Sequence, residues 1–383
     1  MKKMTGTLFS ILWVWCVLLW ILDLENKNIV ISNIKINGRI LYLISTFIPI
    51  FFVMGFRSAE VGADTWNYAM NIFPMAADVY NADDIFSQDN TFGRGYWILF
   101  HILGNVFSTH PEVYIMGESL LIVIGTAIFI YRTTPHVAFA TLIFLCCFFV
   151  SSLSLARQYV GIVIAANAAI CILNNKKSIV GWGLFLLTLQ IHAVNAIVLI
   201  GIILGWGSLH VKNPLKTFFV TAIFMGISGV MVETILTAII SNFIPEYMGY
   251  LNTSWSQNVL EGESGYGLGV MMMNLIYLLA VFLACLKIKD ASYLVHYKKL
   301  YYAILPAAVI APVAGIAFHS IMVMPRVFSA LLYLGIPFVS ACPYYYTSVK
   351  RFLLEIVILF GISVGFFRVF LAHEFLYTFF WEM

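Results

Sequence analysis

Four short stretches hold residue types able to do chemistry together. The first runs Arg57-Ser-Ala-Glu60-Val-Gly-Ala-Asp64-Thr-Trp66-Asn-Tyr68. Glu60 or Asp64 can act as a general base or bind sugar hydroxyls, and Trp66 and Tyr68 can stack on a sugar ring. Asp64 serves equally well as the N-cap of a helix over residues 65–73. The second is Ser154-Leu-Ala-Arg157-Gln158-Tyr159, where an arginine in apolar surroundings needs an anion, several carbonyls or an acidic partner such as Glu118. The third is Gln190-Ile-His192-Ala-Val-Asn195, whose imidazole suits proton transfer near neutral pH or the part of a satisfied core residue. The fourth is His319-Ser-Ile-Met-Val-Met-Pro325-Arg326, in which Pro325 is expected to interrupt the helix and free carbonyls near Arg326. Snorkelling of Arg326 to headgroups is the competing reading. Arg368 and His373 are weaker candidates, and Asp78, Asp83, Asp84 and Asp89 read as a solvated loop.

The elements that must position these groups are apolar helices. Hydrophobic types make up 62% of the 383 residues and charged types 10%. No water-soluble fold hides so much apolar surface. The apolar runs are continuous rather than alternating, which selects spanning helices over a β-barrel. Spans are expected at about residues 7–22, 39–56, 112–131, 217–240, 268–286 and 352–371. Three longer apolar stretches, 137–173, 178–206 and 300–341, carry polar groups at their middles and split into helical hairpins with those groups at the apex. The result is an all-α, polytopic membrane protein with about twelve spans in one transmembrane domain. Residues 96–108 are too short to cross and are expected to be re-entrant or interfacial. The start, Met1 to Asp23, has the charge and apolar run of a signal peptide but no small-residue cleavage site, so a retained span is expected.

With loop 23–38 placed inside, eleven of the thirteen lysines fall on the inner face. Lys2 and Lys3 argue the other way for the first span. On the outer face the remaining cations are arginines: Arg57, Arg94, Arg157, Arg326 and Arg368. Arginine offers a planar fork matched to phosphate, so an anionic ligand, specifically a diphosphate, is the natural partner. Two outer loops, 57–95 and 241–266, flank these groups. The second holds Glu246, Trp255, Gln257, Glu261 and Glu263, a mix suited to covering a glycan groove or to an ordinary flexible loop.

The formal charge of +3 and the absence of a dense basic cluster exclude nucleic acid as a partner. The six cysteines lie inside apolar runs, as core residues do, and not at disulfide or metal spacing. No phosphate-binding loop, HExxH, GxSxG or zinc spacing occurs. No metal and no cofactor is expected.

The ordered set of these motifs resembles the EpsG-like, Wzy-type polymerases of exopolysaccharide, capsule and O-antigen. The likeness rests on GFRSAEVGADTWNY (55–68), GRGYWILFHIL (93–103), SLARQYVGIVIAANAAICILNNKK (154–177), LQIHAVNAIVLI (189–200) and MPRVFSALLYLGIPF (324–338). Ala63 stands where threonine is usual, and Arg94 stands where the family often has an acidic residue. The resemblance implies that two undecaprenyl-diphosphate-linked glycans meet at the outer face of a bacterial inner membrane, where an acceptor hydroxyl attacks the donor's anomeric carbon. Within that mechanism His192 is the first choice as base and Asp64 the second. Arg157 and Arg326, assisted by Arg57, hold the leaving diphosphate. Glu60, Trp66, Tyr68, Arg94, Gln158 and His319 contact glycan. A flippase and a chain-length regulator are further expected partners. Two other classes fit the same sequence: a GT-C glycosyltransferase with a polyprenyl-phosphate sugar donor, and a transporter of lipid-linked sugars. The latter predicts inverted repeats, and none is visible by eye.

Overall fold

A computed structural model describes residues 2–31, 34–62, 64–77, 93–243, 267–289, 295–317, 323–371 and 377–382. His319, His373, the four loop aspartates and residues 244–266 of the second outer loop lie outside the described residues. The chain forms two compact units, Met1–Ile200 with Phe366–Met383, and Gly201–Gly365.

In the first unit, α1 (Lys2–Ile21) leads to a short hairpin of β1 (Asn28–Ile31) and β2 (Ile34–Asn37). The Asn37 side chain accepts from the backbone N–H of Arg39 and starts α2 (Gly38–Gly55). At this end Arg39 donates to the carbonyls of Tyr131 and Thr134, at 2.6 and 2.7 Å. Buried Glu25 accepts from the N–H of Ala138 at 2.8 Å. The loops after α1 and near residue 135, both expected on the inner face, therefore meet at one end of the unit.

After α2 the chain passes a π-helical turn, Asn67–Ile72, into α3 (Phe73–Ala77). Residues 94–106 form α4 (Arg94–Val106), at 13 residues about 20 Å long. That falls short of the roughly 30 Å hydrocarbon core, in keeping with the expected non-spanning segment. Then come α5 (Pro111–Thr133), α6 (Val137–Ser154, with a π-helical turn at Leu145–Phe149), α7 (Ala156–Asn174) and α8 (Ile179–Ile191). A 3-10 turn, Ala193–Ala196, leads into α9 (Ile197–Val211), which crosses the boundary of the two units.

The second unit contains α10 (Pro214–Phe243), α11 (Gly267–Lys287), α12 (Val295–Ala317), α13 (Val323–Leu334), α14 (Ile336–Ala341) and most of α15 (Ser348–Leu371). The helix bends by 44° between Leu334 and Ile336. Gly335 makes the bend possible: a side chain there would meet the Tyr277 hydroxyl, which donates to the Leu332 carbonyl at 2.6 Å. Arg351 pairs with Glu355 at 3.0 Å and lies 3.7 Å from the Tyr344 ring centre.

Seven described helices are long and apolar enough to cross a membrane, or eight if the bent pair counts as one span. Helices stand at all twelve expected places. Of these, Ile179–Ile191 is too short as an apolar segment to qualify by itself. The chain is thus an α-helical membrane protein with seven or eight candidate spans among the described residues, and this measure neither reaches nor overturns the expected twelve.

Candidate active site

Two breaks in the first unit lie where polar groups interrupt apolar sequence. Leu155 leaves helical geometry at φ −116°, ψ 42°, separating α6 from α7. His192 is extended at φ −155°, ψ 105°, separating α8 from the 3-10 turn. Both expected apexes are therefore real helix ends. A helix end leaves carbonyls without intrahelical partners. The Leu153 carbonyl accepts from the Thr65 hydroxyl at 3.1 Å and from Arg57 at 3.4 Å.

Arg57 is fully buried. Its guanidinium forms an ion pair with Glu118 at 3.0 Å, bonds the Ser119 hydroxyl at 3.0 Å and also donates to the Met54 carbonyl. The other Glu118 oxygen accepts from the Tyr96 hydroxyl at 2.9 Å, and Tyr96 and Tyr114 share a hydroxyl contact at 2.9 Å. All four side chains are buried. Glu118 is thus the partner of Arg57, not of Arg157 as one reading of the sequence had it.

Gly62, at φ 103°, and Gly93, at φ 74°, set the approach of the surrounding loops. A Cβ on Gly62 would run into the Leu153 carbonyl, and one on Gly93 into the Gln190 carbonyl. The first contact brings the Arg57–Tyr68 segment against the end of α6. The second seats the N-terminus of α4 on the end of α8, so that exposed Arg94 begins a helix beside Gln190.

Above this base lies Arg157, in the first turn of α7. Its guanidinium carbon is 5.3 Å from the Tyr68 ring centre and 5.9 Å from that of Tyr96. The two rings meet edge to face, with centres 6.1 Å apart. Gly161 lies one turn beyond Arg157 on the same face of α7. Its missing side chain admits Asn195, and a Cβ there would also lie 3.5 Å from the His192 Cβ. Asn195 donates to the Gln158 carbonyl at 3.3 Å. His192 is thereby held beside Arg157. Its Nδ1 makes no hydrogen bond. It lies in the break between helices, and burial, followed by the Arg157 cation, pushes its imidazole down to about 4.

Of the other expected site residues, Asp64 lies one turn before Tyr68, whose N–H it accepts through its backbone oxygen at 3.2 Å. Trp66 and Glu60 are exposed, and Gln158 is buried. Arg326 is in the second unit near the start of α13, its carbonyl accepting from the Ser329 hydroxyl at 2.6 Å. Pro325 lies within that helix, and residues 318–322 before it lie outside the described residues. Among the described residues no group of three histidine, cysteine or acidic side chains gathers as metal ligands would.

Tyr96, Tyr114 and the Arg57–Glu118 pair are the parts that sequence reasoning missed. The one available signal was Glu118, an acid inside an apolar helix, which must have a partner. The C-terminal strap gave none. Phe379 forms an antiparallel bridge with Arg57, with bonds from Ser58 N to the Thr378 carbonyl (2.8 Å) and from Phe380 N to the Phe56 carbonyl (3.1 Å).

Helices long enough to span, with a cationic and aromatic cluster at helix breaks, define a polytopic membrane protein. The chain belongs to the EpsG family, whose model matches residues 39–381. EpsG-like proteins are Wzy-type polysaccharide polymerases, which gives this chain a general role in polysaccharide polymerisation. Comparison with the curated proteins and with the solved structures gives no match.

Proposed function

We propose that this protein joins undecaprenyl-diphosphate-linked oligosaccharides into a surface polysaccharide at the outer face of a bacterial inner membrane. The observation that carries the reading is Arg157, set over two tyrosine rings and beside His192 at paired helix breaks. A cation over aromatic faces suits a diphosphate next to a sugar.

In this mechanism the acceptor hydroxyl oxygen bonds to the donor's anomeric carbon. The bond from that carbon to the diphosphate oxygen breaks, and undecaprenyl diphosphate leaves with the electron pair. Arg157 stabilises the charge on the leaving group. Arg326 is assigned the same role. Arg57, its guanidinium already engaged, assists from below by holding the base of the site. The hydroxyl proton passes to His192 or, as second choice, to Asp64. Burial is the larger cause that holds the imidazole down; a diphosphate at Arg157 offsets the smaller, cationic one, and so moves His192 toward being a better base. Tyr68, Trp66, Glu60, Arg94 and Gln158 bind glycan, with His319 as a further contact. Twelve spans, an outward site, and a flippase and chain-length regulator as partners complete the proposal.

The test is complementation of a polymerase deletion, read as a glycan ladder. Wild type restores ladders in whole repeat units, and Arg157→Ala leaves single repeats at normal protein level. A deletion that never accumulates single repeats, or movement of lipid-linked sugar without new glycosidic bonds, overturns it. Arginines stand in for a metal here, so turnover should persist in chelator. Loss in chelator and rescue by a divalent ion would sink that part.

A further inference from the structure

We propose that Tyr96 is a positioning residue that acts through Arg157, held in place by the buried Arg57–Glu118 pair. This deepens the polymerase reading and rests on it.

Glu118 is fixed on one oxygen by Arg57 at 3.0 Å and uses the other to accept from the Tyr96 hydroxyl at 2.9 Å. Tyr96 is therefore pinned at its polar tip, while its buried ring packs against Tyr68 and Phe100. A pinned phenol cannot slide or rotate without breaking a charge-assisted hydrogen bond in a buried setting. The ring then does two things. It meets the Tyr68 ring edge to face, and it lies under the Arg157 guanidinium. The Tyr68 and Tyr96 faces together set the direction in which the Arg157 fork points. A fork aimed at two phosphate oxygens loses bidentate contact when its plane tilts. The line Arg57–Glu118–Tyr96–Arg157 thus carries rigidity from the helix base to the ligand site. Removing the Tyr96 hydroxyl leaves every charge in place and releases the phenol from Glu118 and from the Tyr114 hydroxyl.

The experiment is a double-mutant cycle on the full chain in lipid nanodiscs, with undecaprenyl diphosphate as probe. Binding is measured for wild type, Tyr96→Phe, Arg157→Lys and the double variant. A thermal melt of each confirms an intact fold. Tyr96→Phe is expected to weaken binding about five-fold, and the double variant to bind as Arg157→Lys does, because a residue acting through Arg157 has nothing left to position. A merely structural role would make the losses multiply. Multiplied losses, or wild-type binding by Tyr96→Phe, overturn the inference and leave the polymerase reading standing. No binding by wild type overturns both. If Tyr96→Phe fails to fold, Tyr114→Phe, which removes a hydroxyl bonded to the Tyr96 phenol and leaves the Arg57–Glu118 pair intact, takes its place in the same cycle with the same outcomes.

Discussion

At the scale of single residues, the Arg57–Glu118 pair shows how expensive polar groups are tolerated in an apolar unit. Both side chains are fully buried. Breaking such a pair leaves an uncompensated charge and costs about 3–5 kcal/mol. Glu118→Ala should therefore lower the thermal midpoint sharply in detergent. The double change Arg57→Met with Glu118→Leu should recover much of that loss while lowering polymer yield, because the hold on Tyr96 is gone. Equal stability of Glu118→Ala and wild type would refute the pairing.

His192 makes a separate prediction. Its folded value of about 4 lies below the ordinary 6.5. The unfolded chain then binds the proton that the folded one refuses. Stability is full above the ordinary value and falls as pH drops through it toward the folded value. His192→Gln should remove this part of the acid sensitivity, seen as a shallower dependence of the thermal midpoint on pH. Identical slopes would show that the imidazole titrates normally.

At the scale of elements, three glycines set the distances. Gly62 and Gly93 have positive φ and touch carbonyls of neighbouring segments. An alanine at either place combines backbone strain of about 1–2 kcal/mol with a backbone clash. Gly161→Ala has no strain of that kind but drives its Cβ into the Asn195 amide, which must shift away from α7. It should reduce polymerisation more than it reduces stability, as ladders set beside melting curves would reveal. The helix breaks themselves were legible: Arg157 with Gln158, and His192 with Asn195, are polar groups in the middle of apolar runs too costly to leave within a bilayer. The pairing of Arg57 with Glu118 was not legible, because 61 residues separate them and no local rule links them.

At the scale of the whole molecule, residues 377–380 bind back to the end of α2. Tyr377 donates to the Val53 carbonyl at 2.6 Å, and the Ser58 and Thr378 hydroxyls meet at 2.8 Å. Truncation after residue 376 removes these bonds and the aromatic cover that Phe379 and Trp381 give Phe52. It should destabilise the protein and lower polymer yield, measured by protein level and ladder length together. Sidedness can be tested by labelling single introduced cysteines in intact cells, since the six native thiols are buried or half-buried. Asp64→Cys should react from outside and Lys177→Cys only after lysis. The reverse pattern would invert the topology.

Sequence alone determined that the chain is helical and lives in a membrane. An apolar run leaves its backbone no partner but itself, and each run carries that constraint in its own composition. It also placed two helix ends of the first unit at polar residues. Span length was less certain, since apolar character continues past the point where α8 turns at His192. Only tertiary structure decided which arginine is committed to Glu118, which one lies over the tyrosine rings beside His192, and what the C-terminal segment holds. Those choices depend on which side chains meet across distant parts of the chain, and burial makes each such meeting obligatory without naming the partner in advance.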